Sequence, residues 1–185
     1  MPERIAPLTE LAGLSLAEIA RAAAERRLPP VESWNPTHCG DSQMRIARDG
    51  TWYHQGSPIR REAMVRLFAT ILRREPDGSY VLVTPAEKLD IEVEDAPFVA
   101  VELKSDGDGP ARSLAFRINT GEAVIAGPDH ALTLDGGQPG IELRRGIAAR
   151  IARPVYYELA ELALAEANHP AGLWSGGKFF AMEEE

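Results

Sequence analysis

Arginine is the residue this chain uses most unevenly. Lys appears only at Lys88, Lys104 and Lys178, so the rest of the 20 basic residues are arginines. A guanidinium group offers a planar fork suited to phosphate and carboxylate, and it stacks on aromatic rings. Arg45 and Arg48 lie around the turn Arg48-Asp49-Gly50, with Trp52 across it. Arg144, Arg145, Arg150 and Arg153 lie around a second glycine turn. Were the two sets to face each other, they would converge on one anion, with Trp52, Tyr156 or Trp174 stacking against a base. The competing reading is that these arginines pair with the 28 acidic residues of the chain.

Other reactive residue types are less well arranged. His38, Cys39 and Asp41 suggest a nucleophile, but adjacent residues of an extended chain point opposite ways, so His38 is poorly placed to activate Cys39. They read as loop residues beside a turn, and Cys39 is an oxidisable thiol only if exposed with a low pKa. The histidines at 38, 54, 130 and 169 lack metal-ligand spacing. Asp106-Gly107-Asp108-Gly109 begins like a calcium loop but fails at Pro110 and Arg117. Trp174-Ser175-Gly176-Gly177-Lys178 could present backbone N–H groups to an anion, yet it lacks the phosphate-loop pattern and reads as a tight turn. Lys88, Asp90, Glu92, Glu94 and Asp95 read as a solvated strand face. No catalytic residue and no metal ligand is nominated.

Composition bounds the function classes. The chain has 185 residues, a formal net charge of −8, 44% hydrophobic and 26% charged residues. That is too apolar for overall disorder and too acidic for a general nucleic-acid binder. No apolar run is long enough to span a membrane. A secretory leader is not expected, because residues 1–28 carry Arg and Glu through their apolar stretch. A single cysteine cannot form an internal disulfide, which points to the cytoplasm.

The elements that must position these residues read as α+β. Ser15 and Glu18 have capping-box spacing, and the apolar face beyond them predicts a helix over about 15–27. Residues 31–42 read as a loop. Met44–Ala47 and Thr51–His54 flank Asp-Gly and predict a hairpin. Ser57-Pro58 reads as the start of a helix with Met64, Leu67, Phe68, Ile71 and Leu72 on its apolar face. Tyr80–Thr84 predicts a strand, and Leu89, Ile91 and Val93 alternate with acids in the next. Phe98–Leu103 is apolar on both faces and so central. Leu114, Phe116 and Ile118 alternate, shorter strands follow near Val124, Leu132 and Leu143, and Pro154 opens a closing helix over about 154–167. A strand near Phe179 precedes the acidic tail Glu183-Glu184-Glu185.

The chain also repeats itself. Gly50 is followed eight residues later by Pro58, and Gly146 eight residues later by Pro154, each at an expected helix start. This spacing suggests a duplicated hairpin-plus-helix unit. It predicts two small domains, residues 1–84 and a β-rich 85–185, with a ligand at their interface.

Several stretches resemble a bacterial family, domain of unknown function 1285. They are Met44 to Trp52, Pro58-Ile59, Leu67-Phe68, Ile71 to Arg73, Tyr80 to Pro85, Glu87-Lys88, Val93 to Phe98, Arg145-Gly146, Ala149-Arg150, Tyr156 to Leu159 and Trp174 to Gly177. The resemblance implies two similar α+β domains, the second like pleckstrin-homology-like folds. It also implies a nucleotide-based ligand between them and a role in signal transduction. It brings no catalytic residues. On the matching motifs the candidate ligand contacts are Arg45, Arg48, Trp52, Thr84, Lys88, Arg145, Arg150, Tyr156, Trp174 and Ser175. The expected function is a non-catalytic signalling module binding a nucleotide-like anion. The alternatives are a protein-interaction domain or an enzyme acting on a phosphorylated small molecule. A homodimer is also open; nucleic acid and membrane are not expected partners.

Overall fold

The computed structural model describes residues 10–134 and 137–182. The tail at 183–185 and the first nine residues lie outside the described residues. The chain forms α1 (Leu16–Glu25), β1 (His38–Ile46), β2 (Trp52–His54), β3 (Ser57–Pro58), α2 (Glu62–Thr70), β4 (Leu72–Arg74), β5 (Tyr80–Val83) and β6 (Glu87–Val93). It continues with β7 (Phe98–Asp106), β8 (Ser113–Ile118), β9 (Ala123–Ile125), β10 (Leu132–Thr133), β11 (Gly140–Arg144), β12 (Ile147–Ile151), α3 (Arg153–Glu166), β13 (Gly172–Ser175) and β14 (Lys178–Ala181). No helix among the described residues is long and apolar enough to cross a membrane.

The chain divides into two compact units. The first comprises Arg27–Pro97 with Arg145–Ile147; the second comprises Met1–Arg26, Phe98–Arg144 and Ala148–Glu185. The division expected after Thr84 falls inside the first sheet. There β6 pairs antiparallel with β5 and parallel with β1, which holds it in the first unit.

In the first unit the sheet order is β3-β2-β1-β6-β5-β4. The Asp-Gly turn forms as its chemistry requires. Gly50 has φ +90°, and Asp49 Oδ1 accepts the Thr51 N–H at 2.9 Å. The expected helix start at Ser57-Pro58 is overturned. Gln55 and Gly56 both have positive φ, so they form a tight turn that folds Ser57-Pro58 back on β2 as an edge strand. Proline is tolerated at such an edge. The helix therefore begins only at Glu62 and stops at Thr70. Leu72 does not extend it, because Leu72, Arg73 and Arg74 pair with Leu82, Val81 and Tyr80. β1 is longer than expected, starting at His38 within the predicted loop, with a bulge between Asp41 and Met44. The core holds Met44, Ile46, Trp52 and Ile91, with Val31, Val81 and Val83 clustered beside Trp34 and Ile71.

In the second unit the order is β10-β11-β12-β7-β8-β9, with β7 central as expected. Counted along the chain, both sheets have the same plan: the first and last of six strands lie side by side and parallel at the centre. The duplication lives in this shared order. The two turns that mark it in sequence occupy different places, Gly50 between the first and second strands and Gly146 between the fifth and sixth. Helix α3 follows the last strand, with Pro154 in its first turn. A sheet closed by a C-terminal helix is the likeness of this unit to pleckstrin-homology-like folds. α3 packs on β7 and β13. The capping box of α1 forms: Ser15 Oγ accepts the Glu18 N–H at 3.2 Å, and Glu18 Oε2 accepts the Ser15 N–H at 2.7 Å. α1 packs against β9, with Ile19 and Leu11 buried beside Ala115.

Candidate functional site

The ten candidate contacts divide between the units. Arg45, Arg48, Trp52, Thr84, Lys88 and Arg145 belong to the first; Arg150, Tyr156, Trp174 and Ser175 belong to the second.

Two of the six meet in the first unit. Strand alternation buries Met44 and Ile46 and turns Arg45 outward, where its guanidinium lies 4.3 Å over the Tyr53 ring. Arg45 Nη1 pairs with Glu94, whose other carboxylate oxygen accepts the Arg48 N–H at 2.9 Å. Arg48 Nε lies 3.7 Å from Asp95 Oδ2. The parallel pairing of β1 with β6 delivers Glu94 and Asp95 to this point. Both arginines thus face carboxylates of their own sheet, which is the competing reading of the sequence realised.

Arg45 also lines an open groove of about 560 Å³ with Asp41, Gln43, Gly56, Asp90 and Glu92. Its three carboxylates outnumber its one guanidinium, so its potential disfavours phosphate. Thr84 and Lys88 have structural partners. Thr84 Oγ1 accepts the Ala86 and Glu87 N–H groups at 3.3 and 3.2 Å, bracing the β5–β6 turn. Lys88 Nζ lies 3.8 Å from Glu75. Arg145 is exposed at the β11–β12 turn.

Two assignments are corrected outright. Trp52 is 1% exposed in the core of its sheet, so its ring offers no stacking face. Ser175 is fully buried; its Oγ accepts the Leu114 N–H at 2.9 Å and donates to the Ala126 carbonyl at 2.7 Å. The hydroxyl is committed to tying β13 to β8 on one side and to the residue after β9 on the other. Trp174 packs edge-on to Phe179 with ring centres 5.5 Å apart. Tyr156 and Arg150 are half-buried. Gly176 and Gly177 form the tight turn between β13 and β14, both at positive φ.

His38 and Cys39 are exposed on β1, with His38 Nε2 4.0 Å from Glu87. Among the described residues no group of three or more His, Cys, Asp or Glu side chains is placed to hold a metal ion.

Four charged ties escaped the sequence reading. Buried Arg73 donates from Nη1 to the Val31 and Trp34 carbonyls, both at 2.8 Å, and from Nε to Glu75 at 2.7 Å. Arg112 meets Glu166 at 2.6 Å. Glu102 accepts from the Leu11 N–H and from Arg117 Nε, each at 2.7 Å. Arg26 pairs with Glu122, and burial, followed by the nearby Arg144 charge, pulls the Arg26 pKa down to about 10. A charge set inside an apolar run, as in Ile71-Leu72-Arg73, was the one readable signal.

Residues 29–96 match the family model described as Domain of unknown function (DUF1285), N-terminal domain, and residues 97–182 match Protein of unknown function (DUF1285), C-terminal domain. Among solved structures, a DUF1285 family protein from Silicibacter pomeroyi DSS-3 is similar with a TM-score of 0.77 and 42% identity, covering 90% of this chain and 93% of that one. A duf1285 family protein from Shewanella baltica OS155 is similar with a TM-score of 0.53 and 26% identity, covering 69% of this chain and 98% of that one. No curated protein matches the chain.

Proposed function

The chain belongs to the DUF1285 family, and for this member we propose a non-catalytic protein-interaction module acting in cytoplasmic signalling. The observation that supports it best is helix α2. Its residues bury only Ala69, while Leu67 is 62% and Met64 37% exposed. Helical spacing sets these two apolar side chains on one face. Two large apolar side chains left in water one turn apart suit a helix that docks into a partner's groove. The internal ion pairs of the first sheet point the same way, because Arg45 and Arg48, two of the four arginines expected to hold an anion, face Glu94 and Asp95. The test is affinity capture with the whole chain, comparing wild type with Leu67→Glu. A partner held by wild type and released by the variant supports the reading; equal capture by both sinks it.

A second reading keeps the small, nucleotide-like anionic ligand. Exposed Arg145 at the β11–β12 turn favours it. A nucleotide at about 100 times its Kd adds about 2.7 kcal/mol of stability, and in this reading the resulting thermal shift disappears in Arg145→Ala. A shift that survives the substitution moves the ligand elsewhere.

A further inference from the structure

We propose that α2 receives the outer face of α3 from a second copy of this chain. The inference rests on the interaction reading above and names its partner. Helix α3 turns Val155, Leu159 and Ala163 inward, all buried. Its outer side carries Tyr157 at 58% and Leu164 at 76% exposure, with exposed Glu158 and Glu161 between them. Positions 157, 161 and 164 share one side of a helix by their i, i+4, i+7 spacing.

The two helix faces are complementary in kind. α2 offers Met64 and Leu67, with exposed Arg60 and Arg61 just before its first turn. α3 offers Tyr157 and Leu164 with exposed Glu158 and Glu161, and with Arg153 as the one exposed base, a turn before Tyr157. Each face therefore presents two apolar side chains and a net charge, positive on α2 despite Glu62 and negative on α3 despite Arg153, so the net signs are opposite. Glu62, the one acid beside the arginines, lies 3.5 Å from Arg66 on its own helix. Pairing α2 with α2 would set arginine against arginine, and α3 with α3 glutamate against glutamate, each a repulsive contact. Only the mixed pairing satisfies both the apolar area and the charge. The whole chain carries −8, so its copies repel at a distance, and a basic helix face is the local exception that reverses this. Because the two faces differ, the contact is heterologous: it either closes between copies or extends.

The experiment is sedimentation velocity of the full chain across a concentration series, with circular dichroism to confirm that each variant is folded. Wild type is expected to self-associate reversibly, and more weakly as salt rises. Arg61→Glu and Glu161→Arg are each expected to raise the dissociation constant on the order of tenfold. Both side chains are exposed, so neither change disturbs the core. The decisive sample is the equimolar mixture of the two variants. There the acidic α2 of one meets the basic α3 of the other, so association returns. A wild type that stays monomeric at its solubility limit overturns the proposal, as does a mixture that stays as weak as its components. If the chain is monomeric yet a different protein binds it and is released by Leu67→Glu, self-association falls and the interaction reading stands. If neither contact is found, both fall.

Discussion

Arg112 and Glu166, 54 positions apart, are joined by two hydrogen bonds to a single oxygen. Arg112 Nε and Nη2 donate to Glu166 Oε1 at 2.8 and 2.6 Å. The same oxygen accepts the Gly109 N–H at 3.0 Å, and Arg112 Nη1 meets Ser105 Oγ. One ion pair thus ties the end of β7 and the turn after it to the last turn of α3. Replacing one partner leaves the other buried without its counter-charge. Arg112→Met is expected to destabilise the second unit by about 3 kcal/mol or more, read by denaturant unfolding. Arg112→Met with Glu166→Leu should recover much of that loss.

The same pair sets a pH dependence. Burial would raise the Glu166 pKa, but hydrogen bonds from Arg112 and Gly109 outweigh it, and the folded value lies below the ordinary 4.5. Glu102 behaves alike: burial is opposed by Arg117 and by the Leu11 N–H, with a net lowering. A carboxyl held low in the fold binds fewer protons there than in the unfolded chain. Its stabilisation is complete above 4.5 and is lost as pH falls through the folded value. Glu166→Gln is expected to flatten the acid limb of a stability–pH profile. An unchanged limb would mean that other carboxylates dominate it.

Arg73 closes two backbone carbonyls of the first unit. Arg73→Met would remove the guanidinium donor from the Trp34 carbonyl, leave the Val31 carbonyl with the Trp34 N–H at 3.2 Å, and leave Glu75 with Lys88, an expected cost of about 3 kcal/mol. Arg73→Lys keeps the charge but not the fork, so it should recover only part. Thermal unfolding of the two variants side by side checks the difference.

Gly172 has no room for a side chain. A Cβ there would collide with the Phe180 carbonyl and come within 2.7 Å of the Phe179 ring. Gly172→Ala is expected to cost about 1–3 kcal/mol through overpacking. Gly177→Ala meets nothing within 4 Å but sits at φ +79°, and should cost about 1 kcal/mol. Comparing their midpoints in urea separates steric conflict from backbone strain.

Trp52→Ala is expected to destabilise the first unit by about 3–5 kcal/mol, as a large core truncation does. A ligand-contact role would instead leave stability intact. Chemical denaturation decides between the two.

What the sequence made legible was local. Ser15 and Glu18 are three residues apart, and Asp49-Gly50 carries its own turn chemistry, so both could be read directly. Gln55-Gly56 is a weaker turn signal, because glutamine seldom takes a positive φ. Missing it turned an edge strand into a helix start. The end of α2 was hidden as well, since what stops it is the pairing of Leu72 with Leu82, not a local breaker. The candidate site suffered most. Residue type marked Arg45 and Arg48 as anion ligands, but their partner is Glu94, 49 positions from Arg45, and only the parallel strand pair reveals it. Trp52 and Ser175 were chosen for chemistry that their burial removes.

The placement of α1 has a consequence for how the protein is made. This helix leaves the ribosome before β7, β8 and β9, and the surface that covers Leu11 and Ile19 belongs to the second unit with them. Leu11 bonds to Glu102, 91 positions later. While Arg27–Pro97 is being synthesised, the segment that carries Leu11 and α1 lacks the strands it packs on. It is a nascent-chain liability, a stretch that a trigger-type chaperone would be expected to shield until β7, β8 and β9 emerge. Nicking the chain before Arg27 should accordingly weaken the second unit and leave the first intact.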